Sequence, residues 1–351
     1  MRALQVLHLA HTNDVGGVQT IVAKLAAAAP EDVDYRTAVF AAGKADEVTL
    51  FEPDLTAHGL NHPLSVFRLL REIRRTKPDV LVCSLWRSVL VGCLAKLLLR
   101  RRLTFVVFLH SSAYTQPVDR LAHMLGLRLA DAVFSDSEAT ARALLSDLRG
   151  ARFPAGAVVE PPLPAITDRV VPTHLKLVFW GRLAAAKRID RALDLLARVR
   201  AQEPEATLTL IGPSAGLDQE LHRHAREVGV ESAVTWLPAV PQSDLWPLVR
   251  DAAFFVQLSD FEGRALSVIE AMRWGLVPVV TPVGEIGSFC NSNNAIVVHD
   301  LDSAATELVA IWRQRDRWQA ASANAAARWA QADSDGGNFF QLCRSSAGRP
   351  A

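Results

Sequence analysis

Residues 253–280 read AFFVQLSDFEGRALSVIEAMRWGLVPVV. An apolar run of strand length at 253–257 gives way to polar DFEG, then to apolar residues at helical spacing, then to a second β-rich run at 277–280. Strand, helix and strand in that order make a crossover unit, the connection that parallel strands require. The same alternation runs along almost the whole chain, so the fold class is α/β with parallel, doubly wound, Rossmann-like sheets.

In the first half the pattern predicts strands at 4–10, 35–40, 80–84, 104–109 and 132–134, with helices near 18–29, 64–76, 88–100, 118–129 and 138–148. Between 153 and 173 it stops, and Pro154, Pro161, Pro162, Pro164 and Pro172 appear. Each fixes its own φ and disfavours helix at the residue before it, which marks a linker. Strands are expected again at 175–180, 206–211, 234–237, 253–257, 277–280 and 295–298, with helices between them. The expected domains are therefore residues 1–165 and 166–351. The Ala-rich stretch 320–332, with Trp318 and Trp329, reads as a long helix, and the tail after Asp333 as frayed. Two such domains should gather the carboxyl ends of both sheets around a shared crevice, where open α/β sheets bind ligands.

With 351 residues, 50% apolar and 21% charged, the chain is neither disordered, collagenous nor coiled coil. Its 38 basic residues nearly cancel its 37 acidic ones, which removes the electrostatic basis for wholesale nucleic-acid binding. Cys83, Cys93, Cys290 and Cys343 show no C-x-x-C spacing, so neither a zinc site nor a disulfide framework is expected, and a reducing cytoplasm fits. The opening MRALQVLHLAHTND has no cleavage site after its apolar run and reads as a strand. Residues 81–99 are apolar, yet Arg87 and Lys96 would each cost roughly 2.5–3.5 kcal/mol at mid-bilayer. D-x-D occurs at Asp32, Asp300 and Asp333, but in turn-like or tail segments, so no metal is expected. P-loop and G-x-G-x-x-G patterns are absent. No cofactor is expected.

Within 260–275, Glu262 follows a strand and Glu270 sits in the next helix, eight residues on. If most of that interval is helical, the carboxylates lie roughly 10 Å apart along the axis. That is too far for the ~5–5.5 Å pair of a retaining glycosidase. Between them the helix N-terminus near Arg264–Leu266 offers unpaired N–H groups to an anion. A nucleotide sugar, with hydroxyls at both ends and phosphate between, matches this layout. On these residues alone, Glu262 reads equally as an electrostatic cap and Glu270 as a solvated helix residue. In FWGRLAAAKRID, 179–190, Arg182 and Lys187 follow a strand and could neutralise a diphosphate, or lie idle on a surface loop.

Taken together, GRLAAAKRIDRALDLLARV, LTLIGPSAG and VTWLPAVPQSDLWPLVRDAAFFVQLSDFEGRALSVIEAMRWGLVPVVTPVGEIGSF resemble the C-terminal domain of the retaining GT-B glycosyltransferases of the group 1 family. The resemblance implies a nucleoside diphosphate sugar donor, UDP- or GDP-linked, and a carbohydrate or lipid-linked acceptor in cell-envelope or polysaccharide assembly. By it, Arg182 and Lys187 would hold the pyrophosphate, Glu270 the ribose hydroxyls, and Glu262 the sugar at the reacting end. Backbone amides of Gly263, Arg264, Ala265 and Leu266 would complete the donor contacts. Gly16 and Gly17 after the first strand look like the family's glycine loop facing the donor, His110 like its histidine near the sugar, and Gly284–Gly287 like its glycine-rich turn. Arg264 and Ala265 replace a common Phe-Gly, which bears on donor-sugar choice. Glu160-Pro161-Pro162 replaces an Asn-Gly-Val-Asp-like segment, which bears on the linker.

From 68 to 102 ten basic residues (Arg68, Arg71, Arg74, Arg75, Lys77, Arg87, Lys96, Arg100, Arg101, Arg102) face two acids, Glu72 and Asp79. With Phe67, Leu69, Leu70 and Leu97–Leu99 interleaved, the stretch is either a solvated basic face or a contact with an anionic membrane. The function expected is thus a retaining, metal-independent hexosyltransferase. A non-hydrolysing nucleotide-sugar epimerase on the same architecture and a non-catalytic sugar-nucleotide binder are the alternatives.

Overall fold

The computed structural model describes residues 2–43, 48–99, 103–110, 114, 116–146, 156–160, 162–163, 170–332 and 337–348. Arg100, Arg101 and Arg102 of the basic stretch, Asp333 to Asp335, and Pro154, Pro161 and Pro164 lie outside these residues. The chain divides into two compact units, Met1–Pro162 with Asp333–Ala351, and Leu163–Ala332.

The first unit is built on a seven-stranded sheet whose pairings are all parallel. Its strands are β1 (Leu4–Ala10), β2 (Val33–Val39), β3 (Leu55–Thr56), β4 (Val80–Ser84), β5 (Thr104–Leu109), β6 (Ala132–Ser135) and β7 (Gly156–Val158), in the spatial order β3-β2-β1-β4-β5-β6-β7. Between them run α1 (Gly17–Ala27), α2 (Pro63–Thr76), α3 (Trp86–Leu99), α4 (Pro117–Leu129) and α5 (Glu138–Ser146). Two strands escape the sequence pattern. Strand β3 is two residues long, too short to show a period, and β7 lies inside the expected linker, where it adds an edge to β6.

Alternation along the strands splits the first core in two. Leu7, Leu9, Leu81, Cys83, Phe105 and Val107 pack with Leu69 and Ile73 of α2 and Val89 and Cys93 of α3. On the other face, Ala10 and Val39 pack with Val22 of α1.

The second unit holds β8 (Lys176–Trp180), β9 (Thr207–Ile211), β10 (Val234–Leu237), β11 (Phe254–Gln257), β12 (Val277–Val280) and β13 (Ile296–Val297), all pairings parallel, in the order β10-β9-β8-β11-β12-β13. Its helices are α6 (Ile189–Arg200), α7 (Asp218–Glu227), α8 (Gln242–Val249), α9 (Leu266–Arg273), α10 (Ile286–Phe289), α11 (Leu301–Arg313) and α12 (Arg315–Arg328). Helix α12 stops four residues short of the expected 332. Its Trp318 indole N–H donates to the Ala253 carbonyl at 3.3 Å, and its Ser322 hydroxyl donates to the Gly275 carbonyl at 2.8 Å.

The segment expected as a frayed tail of the second domain forms a helix, α13 (Gly337–Ser346), and belongs to the first unit. Phe339, Phe340 and Cys343 are fully buried. Phe339 stacks on His8 and Phe108 and meets Phe134 edge-on, and the Arg344 guanidinium grips Asp32 at 2.6 Å. Burial of two aromatic rings outweighs the weak helical signal of so short a segment. Truncating such a ring leaves a cavity as well as losing its transfer energy. Phe339→Ala should therefore destabilise the first unit by about 3–5 kcal/mol, read as a lowered urea midpoint with an unchanged slope.

Candidate functional site

In the second unit the site forms where β8 and β11 run side by side, so that their outgoing loops are neighbours. Strand β8 ends at Trp180, and Gly181 turns the chain with φ +137°. Arg182, exposed, follows it. The loop continues through a 3-10 turn, Ala185–Lys187, to Arg188, a non-glycine residue in the left-handed region with φ +50°. Arg188 ties this loop to the next one, since its guanidinium donates to Asp190 at 2.7 Å and to Asp260 at 3.2 Å. The Asp190 carboxylate raises Arg188 above its usual range. The Asp260 amide donates to the Ala186 carbonyl at 2.9 Å.

That bracing sets Lys187 against Glu262. The Lys187 ammonium donates to Glu262 Oε1 at 2.6 Å, and the Gln257 side-chain amide donates to the same oxygen at 2.9 Å. Gln257 Oε1 in turn accepts from the Ser267 hydroxyl at 2.6 Å, so four side chains from β11, α9 and both loops form one network. Glu262 is 8% exposed; at such burial a carboxylate needs its partners. Lys187 was expected at a diphosphate and Glu262 at a sugar. Here the two are one ion pair, a juxtaposition that spacing along the chain does not reveal.

Glu270 is 3% exposed, so it is not a solvated helix residue. Its Oε2 accepts from the Trp180 indole N–H at 3.0 Å, and the Trp180 ring packs on Phe255 and Trp274. Helix α9 begins only at Leu266, so the interval between the two glutamates is mostly helical only from there on, and the straight-helix estimate of their separation does not apply. The cause is Ala265, which holds φ +54° and ψ +58° at the N-cap, the position where the resembling family commonly has Gly. Gly263, Arg264 and Ala265 make the approach, and the first turn of α9 directs its N–H groups out of the helix.

The Gly284 turn supports this approach from behind. The Glu285 amide donates to the Gly263 carbonyl at 3.1 Å, and a Cβ on Gly284 would stand 2.1 Å from the Glu262 carbonyl oxygen. With φ +58° as well, only glycine fits there.

In the first unit His110 follows β5, its side chain 2% exposed. Its Nε2 lies 2.8 Å from Ser84 Oγ, which lies 2.7 Å from His8 Nε2, while His8 Nδ1 lies 2.7 Å from the Tyr35 hydroxyl. His110 Nδ1 makes no hydrogen bond to the described residues and faces Asp136 Oδ2 at 3.7 Å. Burial pushes the His8 imidazole down to about 3, with His110 adding to the same effect. Beside His110 opens a cavity of about 280 Å³, lined among others by His11, Trp86, Arg87, Tyr114 and His123. Gly16 caps α1 with an extended backbone, and a Cβ on Gly17 would meet nothing within 4 Å, so the packing of this unit does not demand glycine at 17.

A family model described as glycosyl transferases group 1 matches residues 169–327, and one described as glycosyltransferase family 4 matches residues 15–155. The second half of the chain is thus matched as a group 1 glycosyltransferase and the first half as glycosyltransferase family 4. The GDP-mannose:cellobiosyl-diphosphopolyprenol alpha-mannosyltransferase of Komagataeibacter xylinus is 28% identical over 130 residues, 37% of this chain and 33% of that protein. The match thus spans about a third of this relative's length. Among solved structures, Anabaena HepE in complex with UDP-glucose superposes with a TM-score of 0.81 at 20% identity, covering 98% of this chain and 99% of that one. Sucrose-phosphate synthase from Thermosynechococcus elongatus does so at 0.76 and 16% identity, covering 97% and 98%. These likenesses establish the GT-B fold of two Rossmann-like domains.

The remaining D-x-D residues within the described part of the chain are already engaged. Asp34 pairs with Arg36, Asp300 caps α11 by accepting from the Ser303 amide, and Asp302 pairs with Arg198. Among the described residues no cluster of three metal-ligating side chains occurs. Residues missed by the motif reading are Gln257, Ser267 and Trp180, and in the first unit His8, Ser84, Tyr35 and Asp136. For Gln257, Trp180, Ser84 and Asp136 the available signal was a polar or aromatic-donor side chain at an apolar strand's end; His8, Tyr35 and Ser267 carried none. Left-handed Ala costs about 1–2 kcal/mol and overpacking about 1–3 kcal/mol. Ala265→Gly should therefore raise the urea midpoint of the second unit, and Gly284→Ala should lower its stability by about 2–5 kcal/mol.

Proposed function

We propose that the protein is a retaining, metal-independent glycosyltransferase that moves a hexose-type sugar from a UDP- or GDP-sugar to a carbohydrate or lipid-linked acceptor in cell-envelope or polysaccharide assembly. The observation that carries this reading is the convergence of Lys187 and Gln257 on one oxygen of a buried Glu262, directly before the N-terminus of α9. Cation, carboxylate and outward helix amides occur together at the carboxyl end of a parallel sheet, where α/β folds bind ligands. HepE was solved with UDP-glucose, and the Komagataeibacter relative is named for GDP-mannose and a diphosphopolyprenol acceptor; both names support a nucleotide-sugar donor.

On this reading an arriving diphosphate competes with Glu262 for the Lys187 ammonium, and Arg182 supplies a second cation. Charge that builds on the departing diphosphate is met by these cations and by the amides from Gly263 to Leu266, fixed before the reaction begins. Glu270 accepts from the ribose hydroxyls while Trp180 holds its other side. Glu262, freed of Lys187, acts at the reacting sugar, and the family resemblance gives His110 a role at that sugar and Gly16 and Gly17 a donor contact.

The membrane part of the proposal rests on the outer faces of α2, α3 and α4. Phe67 is 68% exposed, Leu97 57% and Leu98 67%, with Leu64, Leu94, Leu121 and Leu125 also exposed on these adjoining helices. Arg68, Arg71, Arg74 and Lys77 are exposed beside them. The patch is less basic than its sequence count, because Lys96 pairs at 2.6 Å with Asp131, which lies outside the counted stretch. Such a face suits peripheral contact with an anionic leaflet from the cytoplasmic side. Among the described residues no helix is long and apolar enough to cross a membrane.

Two experiments test the proposal. Truncating a group that binds ground and transition states alike raises KM, whereas truncating one used at the reacting centre lowers kcat. Glu270→Ala should weaken calorimetric binding of UDP or GDP. Glu262→Ala should keep that binding and cut turnover by about two orders of magnitude or more. The opposite pattern would mean that the donor lies reversed. For the membrane, the chain should sediment with anionic but not neutral vesicles, less so as salt rises. Leu97→Ser with Leu98→Ser should weaken that binding, and equal binding to both vesicle types rules the contact out.

A further inference from the structure

The register of the first sheet builds a staircase of polar side chains. Val6 of β1 pairs with Tyr35, His8 pairs with Val82 of β4, and Ser84 pairs with Phe108 of β5. Side chains two residues apart share a face of a sheet. Tyr35, His8, Ser84 and His110 therefore stand on one face, each a strand further across and two residues nearer the carboxyl edge than the one before. Successive atoms lie 2.7, 2.7 and 2.8 Å apart. Helix α13 closes the face, with Phe339 stacked on His8 at 6.2 Å and on Phe108 at 6.1 Å, and edge-on to Tyr35.

The direction of hydrogen donation follows from counting hydrogens. Burial keeps His8 neutral, so one ring nitrogen donates and the other accepts. Were His8 to donate from Nδ1 to Tyr35, the phenolic hydrogen would have no acceptor among the described residues. The chain would then run from His110 Nε2 through Ser84 to His8, and in a neutral His110 ring would turn the bare Nδ1 lone pair toward the Asp136 carboxylate. Reversed, both faults vanish. Tyr35 O–H donates to His8 Nδ1, His8 Nε2–H to Ser84 Oγ, and Ser84 O–H to His110 Nε2, and His110 Nδ1–H faces Asp136.

We infer that Tyr35, His8 and Ser84 are positioning residues that hold His110 as its Nδ1–H tautomer with the ring fixed, so that Nδ1 is the only nitrogen from which it can donate. The relay runs from the interior, under α13, to the wall of the 280 Å³ cavity that His110 lines. Its consequence for sugar transfer rests on the role given to His110 under the proposed function; the tautomer itself does not.

The test uses the full chain with ¹⁵N-labelled histidine. Long-range ¹H–¹⁵N spectra separate protonated from bare ring nitrogens, and His110→Gln and His8→Gln spectra assign the two rings. His110 should be Nδ1–H in the parent chain. In an Asp136→Ala background, which removes the carboxylate that also favours Nδ1–H, Ser84→Ala should populate Nε2–H, and Ser84→Thr, which keeps the hydroxyl, should keep the parent pattern. In transfer assays with the UDP- or GDP-sugar that turns over, Ser84→Ala should lower kcat by about 10- to 100-fold with the donor KM unchanged, and Ser84→Thr should recover it. An Nε2–H parent ring, or a tautomer that Ser84→Ala leaves as it was in the Asp136→Ala background, overturns the inference. A tautomer switch in a chain that transfers no sugar upholds the relay and overturns the transferase reading, and transfer without a switch does the reverse.

Discussion

The pairing of β8 with β11 is the constraint on which the candidate donor site depends. Parallel neighbours present their carboxyl ends together, so the loop that carries Arg182 and Lys187 must lie beside the loop that carries Glu262. Residues 75 positions apart become partners at 2.6 Å because two strands share a ladder. The Arg188–Asp260 contact and the Asp260 amide to Ala186 then fix the two loops as one object. Below them Gly284 leaves no room for a side chain, so the Glu262–Gly263 backbone is held from behind as well.

Both units place titratable side chains in their interiors, and they accommodate them differently. In the second unit the buried carboxylates are met by strong donors, Lys187 and Gln257 for Glu262 and the Trp180 indole for Glu270. On the proposed reading the Gln257 amide stays on Glu262 when a diphosphate draws Lys187 away, and the Trp180 indole stays on Glu270, so both carboxylates keep their orientation, which is what preorganisation requires. In the first unit burial instead keeps His8 neutral, and hydroxyls link it onward. Helix α13 makes that burial possible, since Phe339 and Phe340 cover the sheet face that α1 leaves open.

Most strands were legible because both faces of a parallel sheet are covered, which turns each strand into a continuous apolar run such as LVCS or FFVQ. Short β3 and β7 carried no such run, and they exist because an open edge of β2 or β6 accepts them. The C-terminal helix was illegible for a similar reason: a ten-residue helix is marginal alone, and what makes it form is the aromatic surface it lands on. The local chemistry of Arg182, Lys187, Glu262, Gly263 and Glu270 could be read from segments flanking strands and helices. The basic stretch was misjudged in strength, since Asp131, outside it in sequence, neutralises Lys96.

By itself, then, the sequence determined the α/β class, the order of crossover units and the residue types gathered at strand ends, because all of these are set by patterns within a few residues. Only the tertiary structure decided that Lys187 pairs with Glu262, that Glu270 is buried on Trp180, that α13 returns to the first unit, and that Tyr35, His8, Ser84 and His110 line up. Those outcomes depend on which strands become neighbours and in what register, and a hydrogen bond between distant residues leaves no period along the chain from which it could be read.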